Sequence, residues 1–263
     1  MDLGLDSKIA VVLASSSGLG RACAAALAGE GARVAISGRD AARLSRAEAE
    51  LNRAHPGQIF AERLDLAVPG RIEAHLQGVR ERWGTVHVLV TNAGGPPPGR
   101  ASDTSDDELA RAFELTLGSA VRAIRVVLPW MRAQRWGRIL ALTSVSVRQP
   151  LPGLALSNSM RAGLTGYLKT LAGEVAADGV LVNSICTGMF ATDRLRELFE
   201  HRARESGRSV EEERDLAERE IPLRRLGRPE EFGDFVAFLA SERASFMCGA
   251  ALPLDGGASR SLL

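Results

Sequence analysis

Leu13-Ala14-Ser15-Ser16-Ser17-Gly18-Leu19-Gly20 joins two segments of opposite periodicity. Before it, residues 8–13 form a short run of β-branched and apolar side chains. After it, Gly18–Gly29 carries Leu19, Cys23, Ala26 and Leu27 at helical spacing. A tight strand-to-helix turn brings backbone N–H groups and the positive end of the helix dipole to one point, which suits a pyrophosphate. Gly18 and Gly20 let the chain approach phosphates and the helix approach the sheet, and the serine hydroxyls add donors. Glycines between a strand and a helix also make plain turns. The position of this turn at the head of an alternating chain is what gives it weight.

Working outward, the alternation continues. Residues 32–37 are strand-like, and 40–54 helix-like with Asp40 as N-cap. Residues 59–64 read as strand, 69–83 as helix with proline near its start, and 86–91 as a continuous apolar strand. Residues 105–134 read as one long helix disturbed near Pro129. Residues 138–142, 180–185 and 250–254 are further strands, and 156–178 and 228–241 further helices. Near-continuous apolar strands separated by helices predict an α/β fold: one doubly wound, Rossmann-type parallel sheet with helices on both faces. No Gly/Ser linker or repeat divides the chain, so residues 1–263 read as one domain. Residues 190–226 are highly charged and poor in apolar side chains. They read as a helical lid insertion over the strand ends, or as a solvated helical excursion with opposite charges at helical spacing.

Composition narrows the class. The chain has 263 residues, 45% hydrophobic and 25% charged, as ordinary globular proteins do. A net charge of +1 gives no global attraction to nucleic acid or anionic membrane. No apolar run approaches a membrane span, and residues 1–8 lack an export signal. Cys23, Cys186 and Cys248 are too few for a disulfide framework and predict a reducing, cytoplasmic setting. Only Lys8 and Lys169 are lysines.

Residues 14–20, Asn92-Ala93-Gly94, Gly137-Arg138-Ile139, Leu226-Gly227-Arg228-Pro229-Glu230-Glu231 and Leu254-Asp255-Gly256-Gly257 follow one another along nearly the whole chain. In this set and spacing the sequence resembles the short-chain dehydrogenase/reductase family, in its β-ketoacyl-[acyl-carrier-protein] reductase-like branch. The resemblance implies a dinucleotide site. Ser16, Ser17, Gly18, Leu19 and Gly20 form the phosphate turn, Asp65 and Leu66 lie at the adenine, and Asn92, Ala93 and Gly94 lie at a strand end. Thr192 faces the carboxamide or pyrophosphate. At the end of the second strand, Arg39 offers a fork suited to a 2′-phosphate, which favours NADP(H). Asp40 beside it leaves NAD(H) open, because a carboxylate there also binds ribose hydroxyls.

The same resemblance implies a tyrosine and a lysine four residues apart, a serine that polarises the carbonyl and an asparagine that supports a proton relay. The register places the serine at Ser144. The tyrosine, lysine and asparagine positions hold Ser157, Arg161 and Thr116. The sole tyrosine, Tyr167, is ten residues past Ser157, about 15 Å along a helix. It has Leu171 four residues on, and Lys169 sits on the wrong turn. A serine is a far weaker acid than a phenol, and arginine holds its proton at any working pH. Each residue also has a plainer reading: Ser157 as a helix cap with Arg161 exposed, and Ser144 satisfying a backbone group at a strand end. His55, His75, His87 and His201 lack metal-ligand pairing, and Cys186 reads as a small buried filler. Three functions follow. One is an NADP(H)-dependent oxidoreductase acting on a small-molecule carbonyl or acyl-thioester. Another is a non-catalytic dinucleotide- or ligand-binding relative, a sensor or partner subunit. The third is a scaffold whose site is vestigial, against which Arg161 and the intact glycines argue. The resemblance also implies a homotetramer or dimer built through the two long helices, 105–134 and 156–178.

Overall fold

The computed structural model describes residues 1–262. Its strands are β1 (Ile9–Val12), β2 (Arg33–Gly38), β3 (Ile59–Arg63), β4 (Val88–Thr91), β5 (Gly137–Leu142), β6 (Val180–Thr187) and β7 (Ala251–Leu254). All pair in parallel, in the order β3-β2-β1-β4-β5-β6-β7. Side-chain alternation splits each strand between two cores. Ala10, Val12, Val88, Val90, Leu140, Leu142 and Ile185 face one core with α1 (Gly18–Gly29), α2 (Ala41–Ala54) and α9 (Pro229–Ala240). Val11, Leu89, Ile139, Ala141, Val180 and Val182 face the other, with α3 (Arg71–Trp83), α5 (Ser119–Ala133) and α6 (Ala155–Val175). Both faces of the sheet are buried, which is why its strands read as unbroken apolar runs.

The order reverses at β1, whose neighbours are β2 on one side and β4 on the other. Successive crossovers leave opposite faces there, and a crevice opens outside the strand ends. The turn at 13–20 stands at that point.

Three expectations need correction. The helix expected over 105–134 is interrupted: α4 (Asp106–Ala112) passes into a π-helical segment, Phe113–Gly118, before α5. The disturbance lies there and not at Pro129, through which α5 continues. At the start of α5 the Ser119 hydroxyl donates back to the Leu115 carbonyl of the π segment at 2.5 Å, a side-chain bond that competes with the regular ladder. Second, the charged insertion does bury apolar side chains. Its helices α7 (Asp193–Ser206) and α8 (Val210–Glu220) close a small core of Phe199, Ala217, Ile221 and Leu226. Those residues are too widely spaced to show as a stripe. Third, Ser157 does not cap α6. The cap position is Leu154, and Ser157 lies inside the first turn. Asp40 does cap α2, accepting from the Arg43 N–H at 2.8 Å. Among the described residues no helix is long and apolar enough to cross a membrane, and no cluster of metal-ligating side chains occurs. The three cysteines are free.

One half-buried base sits at the other end of the sheet. His87 Nδ1 accepts from the Ile9 N–H at 3.0 Å, tying the entries of β4 and β1 together. Burial, with Lys8 nearby, pulls its pKa from 6.5 down to about 4. The folded state therefore resists protonation that the unfolded chain accepts, and stability falls as pH drops through 6.5 toward about 4. Melting curves across that range should show this loss. His87→Asn, which keeps an acceptor but cannot titrate, should flatten the dependence.

Candidate functional site

The turn after β1 is held by unusual backbone and close packing. Ala14 has φ 49° and Gly18 φ 54°. The Ser15 hydroxyl donates to the Val12 carbonyl at 2.6 Å and accepts from the Ser37 N–H at 3.0 Å, so it is structural. Asn92 Nδ2 donates to the Ala14 carbonyl at 3.0 Å and locks the end of β4 to the turn. A Cβ on Gly20 would lie 2.5 Å from the Ala14 oxygen and 2.9 Å from Asn92 Nδ2. Glycine is therefore required there by space. Gly38 is equally tight, since a Cβ would lie 2.7 Å from Ser16 Oγ. Ser17 occupies the N-cap of α1 but makes no side-chain cap bond, and no acid stands in the first turn. The N-terminus of α1 thus presents its amides and its dipole uncompensated, the condition for binding an anion.

Other expected residues gather round this turn. Thr192 caps α7, accepting from the Leu195 N–H at 3.3 Å, and its methyl lies 3.5 Å from where a Gly18 Cβ would stand. The insertion therefore begins against the glycine turn. Ala93 and Gly94 follow β4 in an open loop, and a Gly94 Cβ would meet nothing within 4 Å. Asp65 and Leu66 follow β3. The Asp65 carboxylate accepts from the Ala67 N–H at 3.0 Å, and Leu66 is buried. Arg39 lies exposed at the end of β2, while the neighbouring Asp40 carboxylate is engaged in its cap. The sequence reading missed Arg63. It pairs in register with Gly38 and donates from Nε to the Arg39 carbonyl at 2.9 Å. The place of Arg63 at the end of a strand adjacent to β2 was the available signal.

A second cluster stands at the end of β5. The Ser144 hydroxyl accepts from the Ser146 N–H at 3.1 Å, as the plainer reading held. One turn into α6, Ser157 accepts from Arg161 Nε at 3.2 Å. Arg161 is not exposed as its plainer reading required. It is half-buried and donates from one amino group to the Leu142 carbonyl at 2.8 Å and the Thr143 carbonyl at 3.2 Å. Enclosure of the guanidinium lowers its pKa to about 10. The spacing of four turns both side chains to one helix face, and the guanidinium bridges that face to the residues preceding Ser144.

Thr116 lies in the π segment with a buried hydroxyl. Together with Thr91, Asn92, Ser119 and Arg161 it borders a cavity of about 10 Å3, the size of a single water. The hydroxyls of Thr91 and Thr116 have no hydrogen-bond partner among the described residues. Tyr167 and Lys169 do not join this group. Tyr167 packs against the core on the α6 side of the sheet, with its pKa raised by burial, and Lys169 donates to the Gly249 carbonyl at 3.0 Å. Cys186 is buried, with the Thr143 hydroxyl 3.8 Å from its sulfur.

A parallel sheet with a glycine turn at its switch point and a polar cluster beside it defines a Rossmann-type α/β protein. A family model described as enoyl-(acyl carrier protein) reductase matches residues 13–259. The 3-oxoacyl-[acyl-carrier-protein] reductase of Salmonella typhimurium is 32% identical over 255 residues, covering 97% of this chain and 98% of that protein. The crystal structure of L-sorbose reductase from Gluconobacter frateurii, complexed with NADPH and L-sorbose, aligns with TM-score 0.95 at 33% identity over 100% of both chains. A short chain oxidoreductase from Pseudomonas aeruginosa PAO1, solved in its apo form and described as containing an atypical catalytic center, aligns with TM-score 0.89 at 30% identity, covering 99% of this chain and 100% of that one. The chain belongs to the short-chain dehydrogenase/reductase family of oxidoreductases.

The turn geometry is directly testable. Gly20→Ala forces its methyl into the Ala14 carbonyl and should cost about 1–3 kcal/mol, the range for overpacking a filled site. Thermal melts should show a lower midpoint, and nucleotide affinity should fall with it.

Proposed function

We propose that the protein is an NADP(H)-dependent carbonyl reductase whose tyrosine, lysine and asparagine positions are filled by Ser157, Arg161 and Thr116. The observation that carries this reading is the Arg161 bridge: one guanidinium holds Ser157 Oγ and the carbonyls of Leu142 and Thr143, directly before Ser144. The residues present fit a dinucleotide. Gly20 and Gly38 let the turn pack tightly against Ala14, Asn92 and Ser16, and the first turn of α1 is uncapped by any side chain. Ser16, Ser17, Gly18, Leu19 and Gly20 take the phosphates, Asp65 and Leu66 the adenine, and Asn92, Ala93, Gly94 and Thr192 flank the chain between. Sorbose reductase was solved with NADPH, which supports the same coenzyme here.

When bound, the coenzyme supplies the hydride. The rest of the chemistry falls to side chains whose hydrogen bonds are already oriented. Ser144 Oγ accepts from an amide and Ser157 Oγ from a guanidinium, so each keeps its own O–H free to donate. Both hydroxyls point the same service at a carbonyl oxygen: they stabilise the negative charge that builds as the carbonyl carbon is reduced. Arg161 adds a fixed positive charge in a poorly solvated place, where its effect is enhanced. With its pKa at about 10 it holds charge and does not relay protons at neutral pH. The proton then comes from water. A relative described as containing an atypical catalytic center supports the view that this fold accommodates a departure from the usual one.

At the ribose end, Arg39 takes a 2′-phosphate. Asp40 spends one carboxylate oxygen on its cap, and Arg63 stands beside Arg39, so the corner offers two cations next to one capped carboxylate. The helices α7 and α8 serve as a lid, joined to the site through Thr192. Association into a dimer or tetramer uses α4, the π-helical segment and the first half of α6, where exposed Leu109 and Phe113 accompany exposed small residues Ala162, Gly163 and Gly166.

Purified protein titrated with NADPH and then assayed on small ketones and ketoacyl thioesters tests the reading. Turnover that falls about 10²-fold in Ser144→Ala, with NADPH affinity kept, supports it. NADPH binding with no turnover on any carbonyl turns it into the binding-only relative. Arg39→Ala should weaken NADPH about 10- to 100-fold, the loss of a charge-assisted contact, and leave NADH unchanged by calorimetry.

A further inference from the structure

The molecule carries a larger cavity away from the glycine turn. It has a volume of about 230 Å3 and lies between α6 and the pair β6–β7, against Leu168, Lys169, Val182, Ser184, Gly249 and Ala251. An engineered cavity of about 150 Å3 accepts benzene, so this one suits a ligand of roughly six to nine heavy atoms. Strand alternation turns Ser184 to the face of Val180 and Val182, under α6. Ser184 is 1% exposed, and its hydroxyl has no hydrogen-bond partner among the described residues. A buried hydroxyl left without a partner is destabilising, and an acceptor placed in the cavity would offset that cost. Lys169 lies exposed at the rim, its ammonium held over the Gly249 carbonyl at 3.0 Å and matched by no carboxylate among the described residues. The remaining wall is aliphatic apart from Asn183, whose amide donates to the Met247 carbonyl at 2.8 Å and accepts from the Ala250 N–H at 3.0 Å, and Thr165. Thr165, which also lines the space, spends its hydroxyl on the Arg161 carbonyl at 2.8 Å.

We propose that this cavity binds a short aliphatic carboxylate carrying a second oxygen acceptor, such as an oxo acid. The carboxylate pairs with Lys169, the carbonyl oxygen accepts from the Ser184 hydroxyl, and the carbon chain lies against Leu168, Val182 and Ala251. The site is distinct from the glycine-turn crevice, because Ser184 lies in the middle of β6 and not at its end. It does not depend on the coenzyme or on turnover.

The test uses the full-length protein with 4-oxopentanoate as probe and pentanoate, which lacks the second oxygen, as control. Calorimetry gives affinity, and carbon-13 methyl spectra of Ala250, Ala251, Leu168 and Val182 report the place of binding. The oxo acid should bind saturably, shift those methyls, and bind about tenfold tighter than pentanoate. Ser184→Ala should erase that difference without lowering the melting temperature, since it removes an uncommitted hydroxyl. Lys169→Met should weaken both acids about tenfold, and NADPH should not compete. The proposal is overturned by methyls that stay unmoved at millimolar probe, by affinity that survives Lys169→Met, by competition with NADPH, or by a self-association that buries Lys169 and excludes the probe.

Discussion

The architecture of the site depends on the placement of one guanidinium. Arg161 reaches from α6 across to the end of β5, where two consecutive backbone carbonyls have run out of strand partners and need donors. Its third bond runs from Nε to the Ser157 hydroxyl, one turn back on α6. A planar fork with five donors can make all three contacts at once. An ammonium, a compact point charge on a flexible stem, would not be held in the same way. The charge that enclosure renders expensive is thus placed by hydrogen bonds to backbone and to serine, and no carboxylate takes part in those bonds.

The sheet makes that placement possible. Parallel strands end together on one side, and the reversal at β1 leaves a crevice there. Asn92 joins β4 to the glycine turn, Arg161 joins α6 to β5, and Thr192 brings the charged helical insertion against Gly18. Three different connections therefore converge on one edge of the sheet. The π-helical segment brings Thr116 to the same edge from a third helix. Such segments occur often at functional sites, because an extra residue in a turn redirects side chains that a regular helix would send elsewhere.

Much of this was legible in the sequence, for reasons that differ by element. The strands were clear because both faces of the sheet are buried, so Val11, Val12, Val88 and Val90 leave no polar interruption. The glycine turn was clear because Gly20 has no room for a Cβ. The register that set Ser157 and Arg161 four apart told of a shared face, and the structure joins them through one hydrogen bond. The π-helical segment was not legible, because Leu109, Phe113 and Leu117 recur every four residues as in a regular helix while the hydrogen bonding changes. The small core of the insertion was hidden too, since Phe199, Ala217, Ile221 and Leu226 come together only when α7 folds on α8. Arg63 and Ser184 matter through neighbours on adjacent strands, which pairing reveals and periodicity does not.

The central claim is that this active site works by fixed donors and a fixed charge, without a titrating phenol. Its most direct measurement is the rate of NADPH oxidation in a single turnover, followed from about pH 6 to about pH 9. Neither serine ionises in that range, and Arg161 titrates only near 10, so the rate should be flat. A rate governed by an ionisation within the range, and lost in Tyr167→Phe, would contradict the account.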